Sequence, residues 1–70
     1  MGAIRHYRFY GLVGTMILNA ENVVCVDDRQ ASSEARARLG PSVFDAIEVW
    51  QGARRVSRHE RSIQGALLEG

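Results

Sequence analysis

Few side chains in this sequence are equipped for chemistry: His6 and His59, the single Cys25, the adjacent Asp27 and Asp28, and nine arginines. A histidine pair suits general acid–base work when a nucleophile or carboxylate stands within hydrogen-bond reach. No local motif beside His6 or His59 supplies one. Structural zinc sites use four ligands as a rule. Cys25, His6 and His59 offer three, without C-x-x-C or H-x-x-x-H spacing. Cys25 lies between Val24 and Val26, the setting of a buried and inert thiol. Asp27 and Asp28 stand where a helix opens, and capping accounts for them without a bound cation. The segment "GLVGTM", residues 11–16, lacks the spacing and the following helix of a phosphate loop. "RRVS", Arg54 to Ser57, matches a basophilic kinase site over too few residues to be distinctive. The expectation is no catalytic site, no metal and no cofactor, so the chain is read as not an enzyme.

The arginines pose the sharper question. Arg54, Arg55, Arg58 and Arg61 crowd one stretch, "WQGARRVSRHERS", residues 50–62. Every cation is arginine and none is lysine. Arginine suits planar, bidentate and stacking contacts, but a GC-rich coding bias, which also favours Ala and Gly, gives the same composition. The formal net charge is only +1, unlike that of a dedicated nucleic-acid binder. Strand alternation would place Arg54, Val56 and Arg58 on one face and Arg55, Ser57 and His59 on the other. No single-sided basic stripe results. The stretch reads instead as a charged edge strand that resists unwanted pairing.

The elements that position these residues follow from periodicity. "RHYRFYGLV", residues 5–13, alternates as a strand, with Tyr7, Phe9, Gly11 and Val13 on one face. Gly14-Thr15 is a two-residue turn with glycine first, as a II′ hairpin requires. "MILNAENVVCVD" continues as a second strand, with a bend or bulge expected at Asn19–Asn22. The apolar run Val23–Val26 suits burial on both faces, or a change of packing face near the bend. Asp27 then caps a helix over residues 28–39, with Gln30 completing a variant capping box. Ala31, Ala35 and Leu39 form its narrow apolar stripe, and Gly40-Pro41 stops it. "AIEVW" is a third strand placed beside the first, and Gln51-Gly52 leads to an optional fourth. A last helical turn from Glu60, carrying Ile63, Leu67 and Leu68, is the remaining option. The fold class expected is α+β, a single helix on one face of a small antiparallel sheet, in the order β-β-α-β(-β).

Size sharpens the consequence. A chain of 70 residues makes one small domain, marginal without a disulfide, a metal or a partner chain. Cys25 alone cannot form an intrachain disulfide, so a partner is the expected aid. No apolar run is long enough to span a membrane. The first residues carry no secretory or myristoylation pattern, and a cytoplasmic location is expected. One short helix covers one sheet face. The other face would carry Arg8, Tyr10, Leu12 and Trp50, its two aromatics worth roughly 150–250 Å² of burial each. Such area marks an interaction site. Arg8, Tyr10, Leu12, Trp50 and Arg54 are therefore the candidate partner-binding residues, for a second copy or another protein. The alternative is single-stranded nucleic acid, with Tyr10 and Trp50 stacking bases and Arg8, Arg54, Arg55 and Arg58 on phosphates.

"HYRFY" at 6–10, "VDD" and "ARARL" within 26–39, and "IEVWQGARRV" at 47–56 together resemble a group of short uncharacterised bacterial proteins. That group pairs a Y-R-x-Y strand and an acidic pair opening an Ala-rich helix with a V-E-V-W-x-G-x-R strand-turn. The resemblance covers most of residues 5–58 and is most specific at Glu48, Val49, Trp50, Gly52 and Arg54. The hairpin departs from the pattern, lacking its acidic turn residues. The resemblance implies a stand-alone bacterial cytoplasmic protein and brings no activity, cofactor or catalytic residue.

Overall fold

A computed structural model describes residues 3–61. The order is β1 (Arg5–Val13), β2 (Met16–Cys25), α1 (Asp28–Leu39), β3 (Ala46–Gln51) and β4 (Arg54–Glu60). The four strands form one antiparallel sheet in the order β2-β1-β3-β4. The fold is α+β, with β1 internal and the optional fourth strand present. The final helical turn read at Ile63, Leu67 and Leu68 lies outside the described residues.

Both hairpins turn on glycine. Gly14 and Gly52 have φ of 62° and 60°, and no non-glycine residue among those described has positive φ. Positive φ at the first central residue alone is what a II′ turn demands. The second turn is thus Gly52-Ala53, one residue later than the Gln51-Gly52 signal.

Alternation puts most of the core on one side of the sheet. Tyr7, Phe9, Val23, Cys25, Ile47 and Val49 face α1 and form the core with Ala31, Ala35 and Leu39. Ala31 and Ala35 have no exposed surface, so the helix lies close on the sheet. The larger Tyr7 and Phe9 fill the space around that contact. Gly11 lies under the Phe44 ring: a Cβ built there would come within 2.6 Å of it, so any side chain at this position would displace the ring. Val24 and Val26 are exposed, so the Val23–Val26 run is buried on one face, not two.

The second-strand irregularity is also shifted. The register breaks between Gly11 and Leu12, pairing Gly11 with Asn19 and Leu12 with Ile17, which makes Leu18 the extra residue. Asn19–Asn22, expected to bend, pair regularly.

The helix start matches its chemistry. The Asp27 carboxylate accepts from the Gln30 backbone N–H at 2.8 Å, and Gln30 Oε1 accepts from Val26 N–H at 2.7 Å. The end differs from the simple glycine stop. Gly40 stays right-handed, at φ −48°. The free carbonyls are met instead by Arg61, whose guanidinium donates to Leu39, Gly40, Ser42 and Phe44 oxygens at 2.6–3.1 Å. Ser42 Oγ adds a bond to Leu39 O at 2.8 Å.

Candidate functional site

The sheet face away from α1 takes alternate residues of every strand. Arg8 pairs with Trp50, Tyr10 with Glu48 and Leu12 with Ala46. On the outer sides of these pairs lie Asn22, Ala20 and Ile17 of β2, and Arg55, Arg58 and Glu60 of β4. Four of the five candidate residues, Arg8, Tyr10, Leu12 and Trp50, therefore share one face. They are not equally available. Arg8 is exposed and Tyr10 and Trp50 are half-buried, whereas Leu12 is 7% exposed and offers a partner almost no area.

Arg54 departs from the group. The register slips between Val49 and Trp50, leaving Val56 as an extra residue in β4. Arg54 then pairs with Gln51 on the helix side, and Ser57 and His59 pair with Val49 and Ile47 there too. Arg55 and Arg58 point to the open face. The simple alternation of Arg54 with Arg58 fails because one bulge flips every residue before it. Nothing in the local sequence marks Val56 as the bulged position.

Electrostatics on the open face centre on Glu48. Its carboxylate accepts from the Trp50 indole N–H at 2.9 Å and pairs with Arg58, with Arg55 at 3.7 Å. The Trp50 hydrogen bond and the neighbouring arginines hold this carboxyl below the usual range, against the opposing effect of burial. Arg58 also meets Glu60 at 2.8 Å. Across the sheet, Arg54 meets Asp28 at 3.2 Å, and Asp28 accepts from the Tyr7 hydroxyl at 2.8 Å. Arg54 and Tyr7 together lower the Asp28 pKa, while burial and Asp28 raise that of Tyr7. Three of the four arginines read as phosphate contacts thus already face carboxylates, and Arg8 has no ion pair recorded among the described residues.

Beside Arg8 and Tyr10 runs an open groove of about 260 Å³, lined also by His6, Asn22 and Gly52. A second, about 310 Å³, opens at Gly14, Asp45, Ala46 and the Arg58–Glu60–Arg61 end of β4. On the helix side, Ser57 Oγ lies 3.0 Å from His59 Nε2 and Ser32 Oγ lies 3.0 Å from Ser57. Burial, then Arg36, pushes the His59 pKa down. No carboxylate is recorded against this imidazole among the described residues. The trio therefore lacks the group that would orient a catalytic histidine, and its contacts fasten α1 to β4.

Several exposed apolar side chains lie away from Trp50, with Val43 and Ile4 outside the strands and a cluster in β2. Met16, Ile17 and Leu18 are 64%, 56% and 54% exposed, and Val24 is 53% exposed. All four belong to β2, whose first seven residues are exposed throughout. Sequence reasoning passed over this edge because the open-face inference was built on aromatic area. The uninterrupted Met-Ile-Leu run was the available signal.

No protein-family model matches the chain, nor does any curated protein or solved structure.

Proposed function

We propose that this chain is a small non-enzymatic interaction module of a reducing cytoplasm, docking a protein, a second copy included, on the open sheet face around Tyr10 and Trp50. The observation that carries the reading is the absence of any described element over that face, where Arg8, Tyr10 and Trp50 stand with the exposed Ile17 and Val24 of β2. Tyr, Trp and Arg are the side chains that dominate binding energy at protein interfaces. Single-stranded nucleic acid is the weaker reading, because Glu48, Glu60 and Asp28 occupy the arginines that would hold phosphates. The resemblance to short bacterial proteins is compatible with such a module and adds no activity to it. No helix among the described residues is long and apolar enough to cross a membrane.

Sedimentation velocity tests the proposal. The wild type should sediment as an assembly, and Trp50→Ala should lower its sedimentation coefficient. A monomeric wild type, or an assembly indifferent to Trp50→Ala, overturns it.

A further inference from the structure

The strand β2 is an edge of the sheet along its whole length, bonded on one side to β1. Its other side presents unpaired backbone N–H and C=O groups, a template for another strand. Edges are ordinarily protected by charge, proline or a cover. From Met16 to Cys25 this one has a single charge, Glu21, and no proline. Glu21 is already paired with Arg38 of α1 at 2.8 Å. An acidic or basic partner therefore finds no free complement here, whereas a second β2 does.

We infer that two copies of the chain pair through β2 in antiparallel register about a two-fold axis at Ala20, joining two sheets into one of eight strands. This inference shares with the proposed function the premise that the sheet docks partners, but it assigns the edge and names the occupant. Strand chemistry selects the register. Centring the axis on Ala20 sets Glu21 opposite Asn19 of the second copy and the small Ala20 opposite itself. Moving the axis to Glu21 would face two like charges, which is destabilising. The Ala20 register keeps helix-side Asn19 opposite helix-side Glu21, as an antiparallel pair requires, and the bulge at Leu18 takes Ile17 and Met16 out of that alternation. Asn19, Ala20 and Glu21 of each copy form the regular centre of that pairing, about 10 Å long, bounded by the bulge at Leu18.

Cysteine scanning tests the register directly. Ala20 is exposed, so substitution there leaves the core intact. At the axis, the two Ala20→Cys side chains would lie about 4.5–5.5 Å apart at Cβ, close enough for a disulfide to form under mild oxidation. Asn22→Cys is the control: its two copies would be displaced by roughly 13 Å along the strands and should not cross-link. The wild type, with only the buried Cys25, should not cross-link either. Ala20→Lys should lower the sedimentation coefficient, and the double variant with Trp50→Ala should sediment as a monomer. An equal cross-linking yield at positions 20 and 22, or an assembly unchanged by Ala20→Lys, overturns the edge pairing. If Trp50→Ala still dissociates that assembly, the face reading survives alone. If Ala20→Lys dissociates it and Trp50→Ala does not, the edge survives alone.

Discussion

The two edges of this sheet are opposites. β4 runs Arg54, Arg55, Val56, Ser57, Arg58, His59, Glu60, and its ions are matched by Asp28, Glu48 and Glu60. Its helix-side Ser57 hydroxyl, which also meets the His59 imidazole, reaches Ser32 of α1, and the residue after the strand grips the helix end. β2 carries one charge, leaves seven successive residues exposed and makes few contacts with α1 beyond Val23 and Cys25. A sheet of four strands can therefore close one margin with charge and leave the other available. The difference lies mainly in side-chain chemistry, since both strands are antiparallel, bulged and hairpin-connected.

The largest effect should come from loosening the protected side. Arg61→Ala removes a charged donor set from four carbonyls, and such bonds are worth about 1.5–3 kcal/mol each at most. Water can replace part of that set, so a net loss of about 2 kcal/mol is expected, read as a fall in Tm of roughly 10 °C. Hydrogen exchange should rise in the last turn of α1 and leave Met16–Asn22 unchanged. If exchange at both edges rises equally, the edges are not independent.

A smaller effect is expected from His59. Its native pKa is depressed by burial and Arg36, so the unfolded chain binds the proton more readily. Stability is then fully present above the ordinary histidine value of about 6.5 and declines as pH falls below it. Thermal melts from pH 7.5 to 5.5 should show a modest decline in Tm, and His59→Asn should flatten it. A wild-type profile no steeper than that of the variant would remove His59 as the cause.

The smallest change in stability should come from β2. Ile17→Thr replaces an exposed side chain and should stay within about 0.5 kcal/mol of the wild type in chemical denaturation. Its effect should appear instead as weaker association at high concentration. A large loss of stability would mean that Ile17 is packed in the isolated fold, and the contrast between edges would fail.

Much of the framework was legible because it rests on local chemistry. The Asp27 cap, the Ala31–Ala35–Leu39 stripe and the Gly14 turn each need only a few neighbouring residues. The placement of Arg8, Tyr10 and Trp50 on one face followed from alternation along β1 and β3, which are regular where they pair. What stayed hidden was set by irregularity or by distant partners. The bulge at Val56 turns Arg54 toward Asp28, and no periodicity announces it. Leu12 is buried despite lying on the open face. Arg61 read as one more surface cation because its acceptors, Leu39 to Phe44, lie some twenty positions away in sequence.

The Arg61 clamp also bears on the order in which the chain can fold. While a ribosome still holds the last strand, the carbonyls that end α1 have no protein donor from this residue. The helix can begin early, because Asp27 and Gln30 emerge together, and Ser42 can cap Leu39 locally, but the Arg61 donors reach the helix end only after residue 61 has left the exit tunnel. The Arg61 bonds are therefore a late addition to a helix whose start Asp27 can fix as soon as Gln30 has followed it.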